Sequence, residues 1–362
     1  MFKLMHLPLG CLIFVLCSLP VIAITPKVLF VSPSHADDPF FQHVEQFSRI
    51  AAANLGLELD VLYGEGNRLL QLQQLADSLT HQQPDYIVVQ PYSGGAKALM
   101  DFLANYPELN VITFERLLLS SEEDSIGIPR QHYSNWIAEI YFDNAKASAD
   151  MTRALLEECR DEAKAGRRGV IGLNGAHGFE AEQRGAALQA LSKADPDYRF
   201  EQLVFSQWQR ELATSQSKQL LRRYPQTSII WAASDWMALG VLDMLREQPQ
   251  SEERYCIGGF DWLPESIEYI QSGDVVASVG GHFMMGAWAM VAIYDHWHDS
   301  LPENVLAGQP AFELEVITQS NVDSYRPLLQ QDYWQGFDFR SLTFRHQQQQ
   351  KYAFKLQQTA PQ

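Results

Sequence analysis

Lys27-Val28-Leu29-Phe30-Val31-Ser32-Pro33-Ser34-His35-Ala36-Asp37-Asp38-Pro39-Phe40-Phe41 is the stretch that decides the fold. It passes from an unbroken apolar, β-branched run through a turn-rich loop into a segment whose apolar residues Phe41, Val44, Phe47, Ile50 and Ala51 fall at helical spacing. A continuous apolar run predicts a strand buried on both faces, as in parallel sheets. Asp38 suits the cap of the following helix and Pro39 its first turn. The same order recurs about every 30 residues, the period of a βαβ unit. Strands are expected at 57–62, 86–89 and 111–114, with helices at 68–79 and 96–103.

The whole pattern then repeats. Strand-like runs starting near Lys27, Leu57, Asp85 and Asn110 are answered by runs near Gly169, Arg199, Ser228 and Tyr255, at an offset of roughly 142 to 145 residues. Two such halves predict an α/β protein made of two doubly wound, open parallel-sheet lobes that close as a clamp on a small molecule. Ligands of these sheets sit beyond the carboxyl ends of the strands. The segment 126–129 reads as an extended crossover and 136–165 as one long helix opening the second half. Further strands are expected at 170–173, 200–205, 228–232, 256–260, 275–279 and 312–318, with a very apolar helix at 284–297. After Arg326 the pattern decays into a C-terminal extension, 326–362, whose Gln-rich end from Gln347 is expected to fray.

With 362 residues the chain has material for two cores. Its net charge of −17 argues against nucleic acid, whose phosphates need a basic face. Lys3, the apolar run 7–22 and Val21-Ile22-Ala23 read as a secretory signal cleaved before Ile24, which makes residues 1–23 a signal peptide and the mature protein exported. Leu16 before Cys17 and Pro8 ahead of Cys11 argue against lipid attachment. Of the remaining cysteines, Cys159 falls in a helix-like stretch and Cys256 in a strand-like one. They can pair, but nothing in the pattern requires it, and two buried free thiols is the preferred reading.

Candidate site residues follow from the strand ends. Phe40 and Phe41 are placed to form a stacking wall for a ring, packing being the competing role. Glu115 and Arg116 end the fourth strand, and Asp261 and Trp262 end its counterpart in the second half. Such charged groups make charge-assisted hydrogen bonds to hydroxyls, although Glu115 and Arg116 can equally pair with each other. Trp208 stands in a polar loop after the second strand of its half. Of Ser234 and Asp235, one caps the next helix and the other is free for the cleft. The run 172–180 is Gly-rich without a phosphate-loop spacing, and Arg184 on the following helix can hold it. His282 follows the paired Gly280 and Gly281, which allow close backbone approach. No HExxH, GxSxG or CxxC pattern occurs, and no catalytic residue, metal or cofactor is expected. A hydrolase built on Glu115 and Asp261 is the enzymatic alternative.

Several of these stretches together resemble a known family. Asp38-Pro39-Phe40-Phe41, Arg184-Gly185, Ser234-Asp235-Trp236-Met237-Ala238-Leu239-Gly240 and Ile257-Gly258-Gly259-Phe260-Asp261 are similar to the type I periplasmic substrate-binding proteins, the sugar-binding class that includes ribose- and galactose-binding proteins. The same core occurs in LacI-type repressors, which lack an export signal. The resemblance covers roughly residues 26–320 and implies a three-crossover hinge, near Ser125, Gly280 and Leu306, joining a first lobe of residues 24–125 plus 281–305 to a second of 126–280 plus 306–325. It implies that Phe40 and Phe41 stack on a sugar, that Glu115, Arg116 and Asp261 bind its hydroxyls, and that Trp208 is the aromatic of the second lobe. Glu115 stands where the family usually has Asp, Ser234 where it often has Asn, and Gly280-Gly281-His282 where it has Gln. The implied protein is a monomer that closes on a small polar ring ligand and presents it to an inner-membrane ABC permease. The alternative is a co-receptor serving a sensor kinase or a cyclic-dinucleotide signalling protein.

Overall fold

The computed structural model describes residues 25–116, 118–247, 254–347 and 351–356. The expected signal peptide and its two cysteines lie outside the described residues, as does most of the Gln-rich end. Among the described residues no helix is long and apolar enough to cross a membrane.

Eleven strands among the described residues form two sheets. The first contains β1 (Lys27–Ser32), β2 (Glu58–Tyr63), β3 (Tyr86–Val89), β4 (Asn110–Phe114) and β5 (Trp136–Ile140) in the order β2-β1-β3-β4-β5, all parallel. The second contains β6 (Gly169–Asn174), β7 (Arg199–Phe205), β8 (Thr227–Ala232), β9 (Cys256–Phe260), β10 (Ala277–Gly280) and β11 (Glu315–Thr318) in the order β11-β10-β9-β8-β6-β7. Only β11 is antiparallel to its neighbour. The orders β2-β1-β3-β4 and β7-β6-β8-β9 coincide, so the repeat in sequence is a repeat of topology. In each sheet the direction of winding reverses beside the first strand, between β1 and β3 and between β6 and β8, which opens a crevice there. Burial follows from this arrangement. The interior strands β3, β6, β8 and β9 are buried throughout, while the edge strands β2 and β7 are half exposed.

Three expectations need correction. The stretch 136–165 is not one helix: β5 comes first, then helices at Asn144–Glu158 and Arg160–Lys164. Trp136-Ile137-Ala138-Glu139-Ile140 is buried on both faces, so it lacks the alternation that separates strand from helix. Asp143 starts the true helix by accepting from Lys146 N at 2.9 Å. Because β5 pairs with β4, the chain leaves the first lobe after Ile140 and not near Ser125, where the segment 120–126 is a short helix.

Cys159 and Cys256 are joined in a disulfide, not left as free thiols. Cys159 ends the helix Asn144–Glu158, which lies against β9, and Cys256 begins that strand, so their Cα atoms stand 6.1 Å apart.

The C-terminal extension is ordered over most of its length. Trp334 and Phe339 are fully buried against the first-lobe helix Pro39–Leu55. Phe339 N donates to Asn54 Oδ1 at 2.9 Å, and Phe354 stacks on Trp288 with centroids 4.9 Å apart. Trp288 belongs to the helix Met285–Trp297, which packs on the same first-lobe helix and is buried almost all round.

Candidate functional site

The loops at the carboxyl ends of both sheets face each other across one cavity of about 690 Å³, within the ~300–1,000 Å³ of small-ligand sites. The first lobe supplies the loop after β1, where Asp38 caps the helix Pro39–Leu55 by accepting from Phe40 N at 2.9 Å and Phe41 N at 3.0 Å. That capping sets the two rings edge to face at the cavity wall, 5.1 Å between centroids. Tyr92, after β3, donates its hydroxyl to Pro33 O at 2.6 Å and ties the loops after β1 and β3 together.

Backbone strain aims several of the side chains. Glu115, Gln207, Trp208 and Asp261 all adopt positive φ, between 50° and 107°, a conformation uncommon outside glycine and concentrated where function requires it. At Glu115 the kink sends one charge into the cavity and its neighbour away. Glu115 lines the cleft and accepts from Gln90 Nε2. Arg116, expected in the cleft, instead pairs with Glu139 on β5 at 2.7 Å. Glu139 also accepts from Gly308 N at 2.8 Å, so Arg116 braces the returning crossover.

On the second lobe, Trp208 lies over Gly175, where a Cβ would come within 2.0 Å of the indole; only glycine admits that approach. Arg184 is buried beside it, donating from Nε to Asn144 Oδ1 and from Nη1 to Ala233 O, both at 2.8 Å. Its guanidinium stacks over Phe260 at 4.3 Å. Ser234 caps its helix by accepting from Met237 N and also lines the cavity. Asp235, by contrast, is interior: it accepts from Ser278 Oγ at 2.8 Å and Leu263 N at 2.9 Å, welding the helix Asp235–Arg246 to the loop after β9. Trp262 is also withdrawn from the cleft. Its indole donates to Ser278 O at 3.1 Å and packs on Gly280 and Tyr325.

His282 is 1% exposed and lines the cavity between the rings of Phe40, at 4.5 Å, and Phe142, at 4.9 Å. Its Nε2 lies 3.2 Å from Asp261 Oδ1, and its Nδ1 has no hydrogen-bond partner among the described residues. Burial lowers its pKa, against the pull of Asp261. Burial pushes the Glu115 carboxyl up to about 7, although Arg184 and Gln90 oppose the shift. Burial likewise raises Glu180 and Asp38.

Gln90, Tyr92, Ser93, His177, Glu180 and Trp236 also line the cavity and were not anticipated. The loop after β3 was within reach of the strand-end rule, which applies to it as fully as to the loop after β1. No group of three or more His, Cys, Asp or Glu able to hold a metal ion occurs among the described residues.

Two doubly wound lobes with a polar, aromatic-walled cavity between their strand ends define the class of bilobal small-molecule binding proteins. The chain belongs to the family described as periplasmic binding protein domain, whose profile matches residues 28–298. It is 24% identical over 249 residues to the ribose import binding protein RbsB of Escherichia coli (strain K12), covering 68% of this chain and 76% of that one. A periplasmic sugar-binding protein from Pseudomonas fluorescens superposes with a TM-score of 0.77 at 25% identity, over 91% of this chain and 98% of that chain. The Caulobacter myo-inositol binding protein, solved with myo-inositol, shares the fold with a TM-score of 0.66 at 18% identity, over 82% and 94% of the two chains.

Proposed function

We propose that this protein is an exported solute-binding protein that holds a small polar ring, a sugar or sugar-like molecule, between its lobes. It then presents the closed form to an inner-membrane ABC permease. The observation that carries this reading is the convergence of Glu115 from one lobe with Arg184, Asp261 and Trp208 from the other on a single cavity faced by Phe40 and Phe41. Aromatic faces suit the apolar side of a sugar ring and the charged groups suit its hydroxyls. Ribose import and myo-inositol binding among the relatives are in keeping with it.

A thermal-shift screen across sugars, sugar acids, polyols and nucleosides, followed by calorimetry on any hit, tests the reading. Trp208→Ala and Asp261→Ala are each expected to weaken the hit at least tenfold while remaining folded. Unchanged affinity in both variants would remove these residues from the site.

A further inference from the structure

The groups facing the cavity are unbalanced in both charge and hydrogen bonding. Asp38, Glu65, Glu115, Glu180 and Asp261 all line it, and the arginines that face them are Arg184, buried among them, and Arg68, exposed at the edge. Arg116 is unavailable to restore the balance, because Glu139 holds it. Two of the guanidinium's nitrogens are already spent on Asn144 and the carbonyl of Ala233. Glu115 accepts from the neutral amide of Gln90, and Asp261 pairs with the ring of His282. Neither carboxylate forms an ion pair with Arg184 among the described residues.

His282 adds an independent sign. With a carboxylate oxygen facing Nε2, the neutral imidazole carries its proton there, and Nδ1 is left as a buried acceptor without a donor. Leaving an acceptor buried and unpaired is unfavourable, and since Nδ1 is closed to solvent here a ligand donor reaches it only if the ring shifts. The cavity therefore offers acceptors in excess and five acids to two arginines, with burial favouring the protonated form of Glu115 and Glu180 until a cation joins them. An ammonium answers both demands, since it has three donors, no acceptor and a positive charge.

We propose that the cleft selects a polyhydroxylated ring bearing a protonated amine, an amino sugar or aminocyclitol, with its ammonium held by the Glu115 and Asp261 carboxylates. This rests on the solute-binding reading above and narrows it to a ligand class. Glu115 and Asp261 come from opposite lobes, so an ammonium shared between them also draws the lobes together.

The test is calorimetry on the purified protein with D-glucosamine, D-galactosamine and D-mannosamine, each beside its N-acetyl derivative and its parent hexose, with the amine protonated. At least one amine is expected to bind tenfold or more tighter than both of its neutral counterparts. Glu115→Gln, which keeps the shape and removes the charge, is expected to shrink that amine-to-hexose ratio at least fivefold. A loss of packing alone would weaken both ligands alike and leave the ratio in place. Neutral hexoses binding as well as the amines would overturn the amine preference and leave the sugar reading standing. No binding by any of the nine compounds beside a hit in the wider screen above would overturn the amine preference alone, and no hit in either would overturn both.

Discussion

Glu115 sits just past β4 with a positive φ, largely out of water, and among the described residues it accepts from the amide of Gln90. Its carboxyl pKa stands near 7 in the folded protein, against 4.5 ordinarily, and burial is the main cause. The folded state thus binds this proton more tightly than the unfolded chain does. Its contribution is fully present below about pH 4.5 and is lost as the pH rises to 7, leaving a cost of up to roughly 3 kcal/mol in the ionised, ligand-free protein. Glu115→Gln removes the ionisation and keeps the volume. Urea unfolding should show the variant more stable than the parent by about 1–3 kcal/mol at pH 8, with the gap shrinking toward pH 5. A gap independent of pH would mean that Glu115 ionises without penalty. At this scale the sequence was legible in one respect: residues just past buried strands face the cleft, as Glu115, Ser234, Asp261 and His282 do. Which of two neighbours does so was not legible. Arg116, Asp235 and Trp262 all turn into the protein, because local φ sets the direction at 115 and 261, and no residue type at those positions announces a positive φ.

Elements were legible where periodicity is unambiguous and hidden where it is not. The repeated strand–loop–helix order of both halves is readable because the interior strands are apolar without interruption and each loop is marked by Pro, Gly, Ser or Asp. β5 escaped for the same reason that it is stable. Buried on both faces, it lacks the alternation that marks a strand, and the helix Asn144–Glu158 follows it closely. The disulfide was hidden because it depends on that helix crossing β9, a tertiary fact. The bridge closes a loop of 97 residues in sequence. In the chain-entropy account such a loop restrains the unfolded state by as much as about 4–5 kcal/mol, and removing native disulfides typically costs about 2–5. Cys159→Ser with Cys256→Ser should therefore lower the unfolding free energy by about 2–5 kcal/mol. The parent should lose a similar amount under reductant. Equal stability of oxidised and reduced parent in calorimetry would show that the bridge adds nothing beyond the packing around it.

Taken whole, the molecule is joined by more than its crossovers, since the C-terminal extension runs from the second lobe back onto the first. Asp295, fully buried on the helix Met285–Trp297, accepts from Phe344 N at 2.7 Å, Arg345 N at 3.0 Å and the Tyr352 hydroxyl at 2.8 Å. Removing one donor leaves a buried carboxylate short of a partner, so Tyr352→Phe should cost about 1.5–3 kcal/mol, read from chemical denaturation. A cost below 0.5 kcal/mol, on the order of an ordinary surface change, would show that the extension lies on the lobe without anchoring it. The lobes also meet at the cleft edge, where Phe179 N of the second lobe donates to Ser93 Oγ of the first at 3.4 Å. This bond is long and lies beside the cavity, so by itself it holds the lobes weakly. A ligand touching Glu115 and Phe40 on one side and Asp261 and Arg184 on the other makes its full set of contacts only when both lobes approach. It must therefore favour the closed arrangement by its differential affinity for it. At a hundredfold over its dissociation constant a ligand adds about 2.7 kcal/mol of stability, and its binding should reduce the radius of gyration measured by X-ray scattering. Stabilisation without contraction would mean that the ligand enters a cavity already formed, and that the hinge is not the element a membrane partner reads.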